Sequence, residues 1–212
     1  MSGSHKHIVV FASGTGSNFT CIQEWILEHR IPAEIVLLIS NNPKCRAIDT
    51  ARAHEIETAV VNAYRFPDYT QMVDKYLQIL ADKQPDLIVL AGYMKLIPVE
   101  VVRSYNRRIM NIHPALLPAF GGRGYYGMNV HRAVLASGAK VTGPTVHFID
   151  EEYDRGPILA QRTLEISAED TAESIAARVL ELEHQLFPEV VKAFCEDRIF
   201  WQNDVPFIGN SF

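Results

Sequence analysis

Short, strongly apolar segments alternate with longer amphipathic segments through the first half of the chain. Residues 7–12, 35–40 and 87–91 are apolar runs of strand length, whereas residues 69–83 carry apolar side chains at helical spacing. The run at 87–91 is apolar at every position, which is typical of a central strand covered on both faces. Because strands that alternate with helices pair in parallel, we predict an α/β fold with a Rossmann-like, mostly parallel open sheet in three layers.

The size and composition of the chain favour one folded domain. It has 212 residues, of which 48% are hydrophobic and 21% are charged. At roughly 150 residues per domain, this length allows one domain with a small appendage. We therefore predict a flexible leader over residues 1–6, a single domain over residues 7–212 and, within it, a short C-terminal arm over residues 198–212.

The charge and cysteine content disfavour several classes of partner. The formal net charge is -5 and basic residues form no run, so nothing in the pattern favours binding to nucleic acid or to an anionic membrane surface. The apolar segment 8–12 is far too short to span a bilayer. Cys21, Cys45 and Cys195 are too few and too scattered for a disulfide framework or a zinc site. These features favour a reducing, cytoplasmic location.

The middle of the chain contains a long irregular segment. We predict a strand at 109–112 and a helix at 129–137, with a glycine-rich loop at 114–127 between them. The stretch at 119–128, which overlaps most of this loop, is either a lid over a binding site or an elaborated surface loop, and we favour the lid.

The last third is predicted to contain two strands and a long helix. Residues 141–149 and 158–166 have the composition of adjacent strands. Asp170 and Glu173 resemble a capping box at the start of the helix, which Pro188 is expected to kink or split. The arm that follows is expected to be an edge hairpin.

A glycine-rich turn, Ser-Gly-Thr-Gly-Ser-Asn at residues 13–18, follows the first predicted strand and opens a helix. Glycines let the backbone approach an anion that the helix N-terminus attracts, so the turn is a candidate phosphate site. The alternative is a tight turn capped by Ser17 or Asn18. Phe19 stands where a dinucleotide fingerprint has its third glycine, and Asn41 ends the second strand where that fingerprint has an acid. The turn therefore favours a phosphate monoester.

Asn111 and His113 lie two residues apart at the end of a predicted strand, and so on the same face. Open α/β sheets place their sites at the carboxyl ends of strands. An amide donor beside an imidazole can stabilise an oxyanion, which indicates acyl-type transfer. Asp154 follows in an acidic turn, where it would raise the pKa of the imidazole. The alternatives are a structural histidine and a solvated turn.

The remaining histidines do not have metal-ligand spacing. We expect His131 to be a surface or capping residue, and His147, in the middle of a strand, to be a possible partner of the candidate site. No nucleophile motif accompanies these groups, so a covalent acyl-enzyme is not indicated.

Four segments together resemble a known family. They are residues 13–18, the sequence Asn-Ile-His-Pro-Ala-Leu-Leu-Pro at 111–118, Thr-Val-His-Phe at 145–148 and Tyr-Asp-Arg-Gly-Pro at 153–157. Their order and spacing resemble the phosphoribosylglycinamide formyltransferase family of folate-dependent formyltransferases, over nearly the whole chain. The family would transfer the formyl group of 10-formyltetrahydrofolate to the amine of glycinamide ribonucleotide in purine biosynthesis, with no metal.

The resemblance also implies residue roles. The implied catalytic residues are Asn111, His113 and Asp154. The implied substrate-binding residues are Gly16, Ser17, Asn18 and Glu183. The implied folate-binding residues are Met94, Lys95, Leu96, Ile97, Asn111, Asp150, Glu151, Glu152, Tyr153 and Asp154. The N-terminal half would then bind phosphate, and the C-terminal half would bind folate and carry the catalytic groups.

Some of these implied roles have structural alternatives. Met94, Leu96 and Ile97 could be ordinary core, and Glu183 could lie on a solvated helix face. Tyr69 stands where some relatives have an arginine near the folate, so we assign no folate contact to it.

Two other functions remain open on the same fold. One is a nicotinamide-dependent oxidoreductase, which Phe19 and Asn41 disfavour. The other is a phosphate-sensing binding module in which His113 is structural. The transferase hypothesis places a protonated His113 and Asn111 on the oxyanion, while Asp154 keeps the imidazole charged.

Overall fold

Strands and helices alternate from Lys6 to Ala136, and strands outnumber helices in the rest of residues 5–209, the part of the chain that the computed structural model describes. In chain order the elements are β1 (Lys6–Phe11), α1 (Ser17–Glu28), β2 (Ala33–Ser40), α2 (Arg46–Ala53), β3 (Glu57–Val60), α3 (Tyr69–Lys83), β4 (Leu87–Leu90), α4 (Val99–Ser104), β5 (Ile109–His113), α5 (Met128–Ala136), β6 (Val141–Thr142), β7 (Thr145–Phe148), β8 (Ile158–Gln161), β9 (Leu164–Glu165), α6 (Ala172–Cys195), β10 (Ile199–Gln202) and β11 (Val205–Ile208).

One seven-stranded sheet, in the order β3-β2-β1-β4-β5-β7-β8, forms the centre of this fold. The pairs β10 with β11 and β6 with β9 make two small separate sheets. The predicted α/β class with a mostly parallel sheet is confirmed. The chain forms two compact units that divide between Met110 and Asn111, and the prediction of a single domain stays a prediction.

The first unit is built on parallel pairing. β1 pairs in parallel with β2 and β4, and β2 pairs in parallel with β3. Residues 8–11, 37–39 and 87–89 are fully buried. Because side chains on both faces of these strands are apolar, helices can cover both faces, as the unbroken apolar runs predict.

The second unit contains antiparallel pairing and the C-terminal arm. β7 pairs with β8, and β10 with β11. The arm is thus an antiparallel hairpin, as predicted, and the ring of Trp201 in β10 packs 5.1 Å from that of Phe148 in β7. Residues 210–212 of the predicted arm lie outside the described residues.

The two predicted strands of the last third are each divided. The prediction of one strand at 141–149 is wrong, because β6 ends at Thr142 and β7 begins at Thr145. Pro144 between them has no N–H to donate to a ladder. The prediction at 158–166 likewise separates into β8 and β9. β8 pairs with β7 whereas β9 pairs with β6, so the two halves belong to different sheets.

The long helix α6 differs from its prediction at its N-terminus and is continuous through its proline. The capping box is formed by Thr171 and Ser174, whose side chains and backbone N–H groups bond reciprocally, and not by Asp170 and Glu173. Asp170 instead forms an ion pair with Arg178 at 2.7 Å. α6 also runs unbroken through Pro188, which excludes the split, while the alternative of a kink stays a prediction. Buried apolar side chains on both sides of the proline anchor the helix and offset the lost hydrogen bond.

The N-terminal boundary is close to its prediction. β1 begins at Lys6, the last residue of the predicted leader, because the Lys6 N–H donates to Pro32 O at 2.9 Å. Residues 1–4 of that leader lie outside the described residues. Among the helices of residues 5–209, none has the length and apolar character needed to cross a membrane.

Candidate active site

The glycine-rich turn joins β1 to α1 with an open helix N-terminus. Gly16 is the N-cap residue at a φ of 79°, and within the described residues no side chain caps α1. The alternative of a cap by Ser17 or Asn18 is therefore wrong. An uncapped N-terminus leaves backbone N–H groups and the positive end of the helix dipole available to an anion.

Gly16 cannot carry a side chain without strain. A Cβ at this position would lie 2.7 Å from the Cβ of Ala47, on α2. Gly16→Ala is expected to lower the free energy of unfolding by about 1–3 kcal/mol, since the left-handed conformation adds to the clash. Gly14→Ala is the matched control, because nothing lies within 4 Å of its Cβ position. Urea unfolding of both variants tests this, and equal losses would contradict it.

Ser13 connects this turn to the segment 94–97. Its Oγ donates to Asn41 Oδ1 and accepts a hydrogen bond from the Met94 N–H at 3.0 Å. Asn41 is thus occupied in holding the turn. Met94 and Leu96 are about half exposed, at 55% and 50%, whereas Ile97 is buried. The core interpretation therefore holds for Ile97 alone, and the exposed Met94, Lys95 and Leu96 keep their candidate role.

β5 presents Asn111 and His113 as the alternation predicts, and Asp154 lies beside them. The imidazole of His113 is buried, and its Nδ1 lies 3.6 Å from Asp154 Oδ2. Its Nε2 lies 2.8 Å from the carbonyl oxygen of Phe120. A carbonyl oxygen only accepts, so Nε2 carries a proton and Nδ1 is the nitrogen left for chemistry.

The glycine-rich loop is tied to this pair through its main chain. Phe120 supplies the carbonyl at His113, and the Gly122 N–H donates to Asp154 Oδ2 at 2.8 Å. Between them, a Cβ at Gly121 would lie 2.5 Å from Leu117 Cδ2 and 3.1 Å from Asp154 Cβ. The chain thus passes directly over the carboxylate. This supports a loop that covers the site, while the lid itself stays a prediction.

The resting charge of His113 differs from the expectation. Burial lowers the pKa of the imidazole, and the Asp154 charge opposes this in the predicted direction but is the smaller effect. The expectation of an imidazole with a raised pKa is therefore wrong. A neutral ring agrees with the geometry. His113 Nδ1 and Asp154 Oδ2 are 3.6 Å apart, which is longer than a hydrogen bond and separates the Nδ1 lone pair from the carboxylate oxygen.

Two further histidines are buried around this group. His147 lies in β7, and Asn111 Nδ2 is 3.1 Å from its Nε2. His131 in α5 is only 5% exposed, so its prediction as a surface or capping residue is wrong. Its Nδ1 has no hydrogen-bond partner among the described residues. Burial lowers the pKa of His131, and the proximity of His113 lowers it further.

Acid is expected to destabilise the fold through these histidines. Burial lowers the pKa of His113, His131 and His147 below the ordinary 6.5, so below about pH 6.5 the unfolded chain binds more protons than the folded chain. The contribution of these histidines to the free energy of unfolding should be at its maximum above that pH and should decrease as the pH drops toward the folded-state pKa values. His131→Gln should reduce the fall between about pH 7.5 and about pH 5.5 in urea titrations. A fall equal to that of the exposed His54→Gln control would contradict this.

The other predicted binding residues differ in how exposed their side chains are. Glu183 on α6 is 8% exposed, so the interpretation as a solvated face is wrong. Glu151, Glu152 and Tyr153 are exposed and Asp150 is partly buried, in agreement with a solvated turn. Tyr69 donates from its hydroxyl to Glu100 at 3.1 Å.

Sequence reasoning missed Thr145, which supports the segment after His113. Its buried hydroxyl donates to Ala115 O at 2.7 Å and accepts from the Leu117 N–H at 3.0 Å. Gln161 Nε2 also donates to the hydroxyl oxygen of Thr145, at 2.9 Å. A threonine at the first position of a fully buried strand was the available signal. Over residues 5–209, no group of His, Cys, Asp and Glu side chains is arranged to hold a metal ion.

Comparison with known proteins adds an independent finding. A family model described as formyl transferase matches residues 6–191. The chain is 48% identical over 204 residues to a chloroplastic phosphoribosylglycinamide formyltransferase of Vigna unguiculata, which covers 96% of this chain and 65% of that protein. It is 38% identical over 187 residues to the phosphoribosylglycinamide formyltransferase of Bacillus subtilis (strain 168). That match covers 88% of this chain and 93% of the Bacillus protein. The chain thus spans slightly less than two thirds of the plant protein.

A solved structure matches over the full length. It is glycinamide ribonucleotide transformylase 1 from Symbiobacterium toebii, with a TM-score of 0.90, 31% identity and coverage of 99% of this chain and 100% of that chain. The match extends beyond the residues of the family model to the C-terminal hairpin.

Proposed function

Because the chain belongs to the formyl transferase family, we propose that it transfers the formyl group of 10-formyltetrahydrofolate to the amine of N1-(5-phospho-D-ribosyl)glycinamide. The products are formylglycinamide ribonucleotide and tetrahydrofolate, and the step belongs to purine (IMP) biosynthesis. The names of the plant and bacterial relatives support the glycinamide ribonucleotide as acceptor of a formyl group. The proposal includes no metal.

One observation carries the chemistry, namely a buried imidazole between a carboxylate and a tethering carbonyl, on a strand that also bears an amide. Asn111 and His113 share β5, and Asp154 Oδ2 lies 3.6 Å from His113 Nδ1. An amide donor and a proton acceptor side by side suit an addition that creates an oxyanion and an ammonium together.

The first step is direct attack of the neutral substrate amine on the formyl carbon. The new N–C bond forms as the carbonyl electrons move onto oxygen, which gives a tetrahedral oxyanion and an ammonium. Asn111 donates an N–H to the oxyanion, and no acyl-enzyme forms. A donor of this kind is worth about 2.7–4 kcal/mol in the transition state.

The second step moves the ammonium proton to the leaving group. His113 is neutral at rest, so its Nδ1 accepts the proton, and Asp154 stabilises the imidazolium that results. The proton then passes to the folate nitrogen as its bond to the formyl carbon breaks. Asp154 thus stabilises the imidazolium in the transition state, whereas the imidazole of the resting protein is neutral.

Substrate recognition is proposed to use the other predicted segments. The uncapped N-terminus of α1, with Gly16, Ser17 and Asn18, binds the substrate phosphate. Glu183 binds the glycinamide portion. The remaining folate-binding residues are Met94, Lys95, Leu96, Ile97, Asp150, Glu151, Glu152 and Tyr153. The proposed compartment is the cytoplasm, which the free thiols of Cys21, Cys45 and Cys195 support.

The test mixes the protein with 10-formyltetrahydrofolate and glycinamide ribonucleotide. Mass spectrometry should detect formylglycinamide ribonucleotide, and absorbance should report an equal amount of tetrahydrofolate. Formyl loss without the ribonucleotide would instead indicate a hydrolase. Removal of the substrate phosphate should raise KM, since the helix N-terminus then has no anion to bind.

A further inference from the structure

The Asn111 amide contacts the imidazole of His147, a histidine that has no role in the proposed reaction. Asn111 Nδ2 lies 3.1 Å from His147 Nε2. An amide can present either its NH2 or its oxygen to a neighbour, and the two ends have opposite hydrogen-bonding character. Which end faces the imidazole therefore depends on whether Nε2 carries a proton.

The other ring nitrogen of His147 decides this. Nδ1 lies 2.9 Å from the carbonyl oxygen of Phe148. Because that oxygen only accepts, Nδ1 carries the proton, and in a neutral ring Nε2 is a bare acceptor. The ring is 1% exposed, and burial lowers its pKa, so the neutral form is the resting form.

Charged groups around the ring do not reverse this state. Asp154 and Asp150 raise the pKa of His147 and His113 lowers it, but burial is the largest effect. Asp154 Oδ1 is 3.7 Å from Nε2, beyond a direct hydrogen bond, whereas the Asn111 amide is within reach. The acceptor at Nε2 is thus filled by Asn111.

We propose that His147 is a positioning residue that holds the Asn111 amide with its NH2 group toward Nε2, so that the second N–H remains available for the oxyanion. This inference rests on the proposed formyl transfer and adds a residue to it. Without the acceptor at Nε2 the amide can rotate and place its oxygen where the N–H stood. An acceptor facing a developing oxyanion raises the barrier.

Two substitutions separate the two ring nitrogens. His147→Asn keeps a donor near the Nδ1 position for Phe148 O and loses the acceptor at the Nε2 position. His147→Gln keeps an acceptor near the Nε2 position and loses the donor at Nδ1. His147→Asn should reduce kcat by about 10- to 100-fold, the range found for partners that orient metal ligands. His147→Gln should lose much less, and KM should change little in either.

A double-mutant cycle distinguishes positioning from general support of the fold. In an Asn111→Ala background, His147→Asn should cause little further loss of kcat, because no amide remains to be held. Equal losses in the two His147 variants, or a loss that persists in the Asn111→Ala background, would overturn the proposal. Circular dichroism and thermal unfolding confirm that each variant folds.

A spectroscopic readout is independent of turnover. In the ¹⁵N spectrum of the wild-type protein, His147 should show a protonated Nδ1 and an unprotonated Nε2 coupled to the Asn111 side-chain amide. A protonated Nε2 would overturn the inference whatever the activity. If the wild-type protein transfers no formyl group while this coupling is present, the proposed function fails and the contact stands.

Discussion

Replacing His113 with glutamine should reduce kcat for formyl transfer by about 10²–10⁴-fold, the range of general acid–base catalysis. Glutamine can still donate an N–H to Phe120 O, as Nε2 does at 2.8 Å. It has no basic nitrogen in place of Nδ1. The loss should therefore fall on turnover, while the dissociation constants of the substrates change little.

The pH profile of His113→Gln checks the cause of that loss. Because burial lowers the pKa of His113, wild-type kcat should rise with pH through that lowered pKa and then level off. The variant should lack this limb. Exposed His54→Gln serves as the control, and wild-type turnover in His113→Gln would reject His113 as the proton acceptor.

Replacing Asp154 with asparagine should reduce kcat by at least about 10²-fold, because the imidazolium formed in the reaction loses its counter-charge. Asparagine keeps an oxygen that can accept the Gly122 N–H, so the loop tether is preserved. Asp154 is the charge that raises the pKa of His113. Its removal should move the acidic limb of the profile to lower pH.

The second measurement for Asp154→Asn is an NMR titration of His113. A lower His113 pKa with unchanged substrate affinity is the expected result. Asp74→Asn, on the exposed face of α3, is the control for loss of a carboxylate. An unchanged His113 titration would show that Asp154 does not act through the imidazole.

The parallel core was predictable because its signal is continuous. β1, β2 and β4 are apolar along their length, and burial on both faces follows directly from that pattern. The same hydrophobic pattern did not predict the division of residues 141–149 at Pro144. Apolar residues occur both before and after the proline, so the segment has the composition of one continuous strand. Local hydrogen-bond capacity, and not hydrophobicity, ends β6.

The proximity of Asn111, His113 and Asp154 in the candidate site was predictable, and the electrostatics of His113 were not. The spacing of Asn111 and His113 places both on one face of β5, and the neighbouring acid is the group expected. The balance between burial and the Asp154 charge at His113 depends on how many atoms surround the ring. Sequence spacing does not report that number, nor that the main chain of Phe120 and Gly122 completes the hydrogen bonds.

That main-chain tether leaves the loop open to redesign. Carbonyl and N–H groups at Phe120 and Gly122 hold His113 and Asp154 whatever side chains the rest of the loop presents. Exposed Tyr126 can therefore accept a fluorescent label or a new binding epitope without loss of the tether, provided that residue 121 stays glycine.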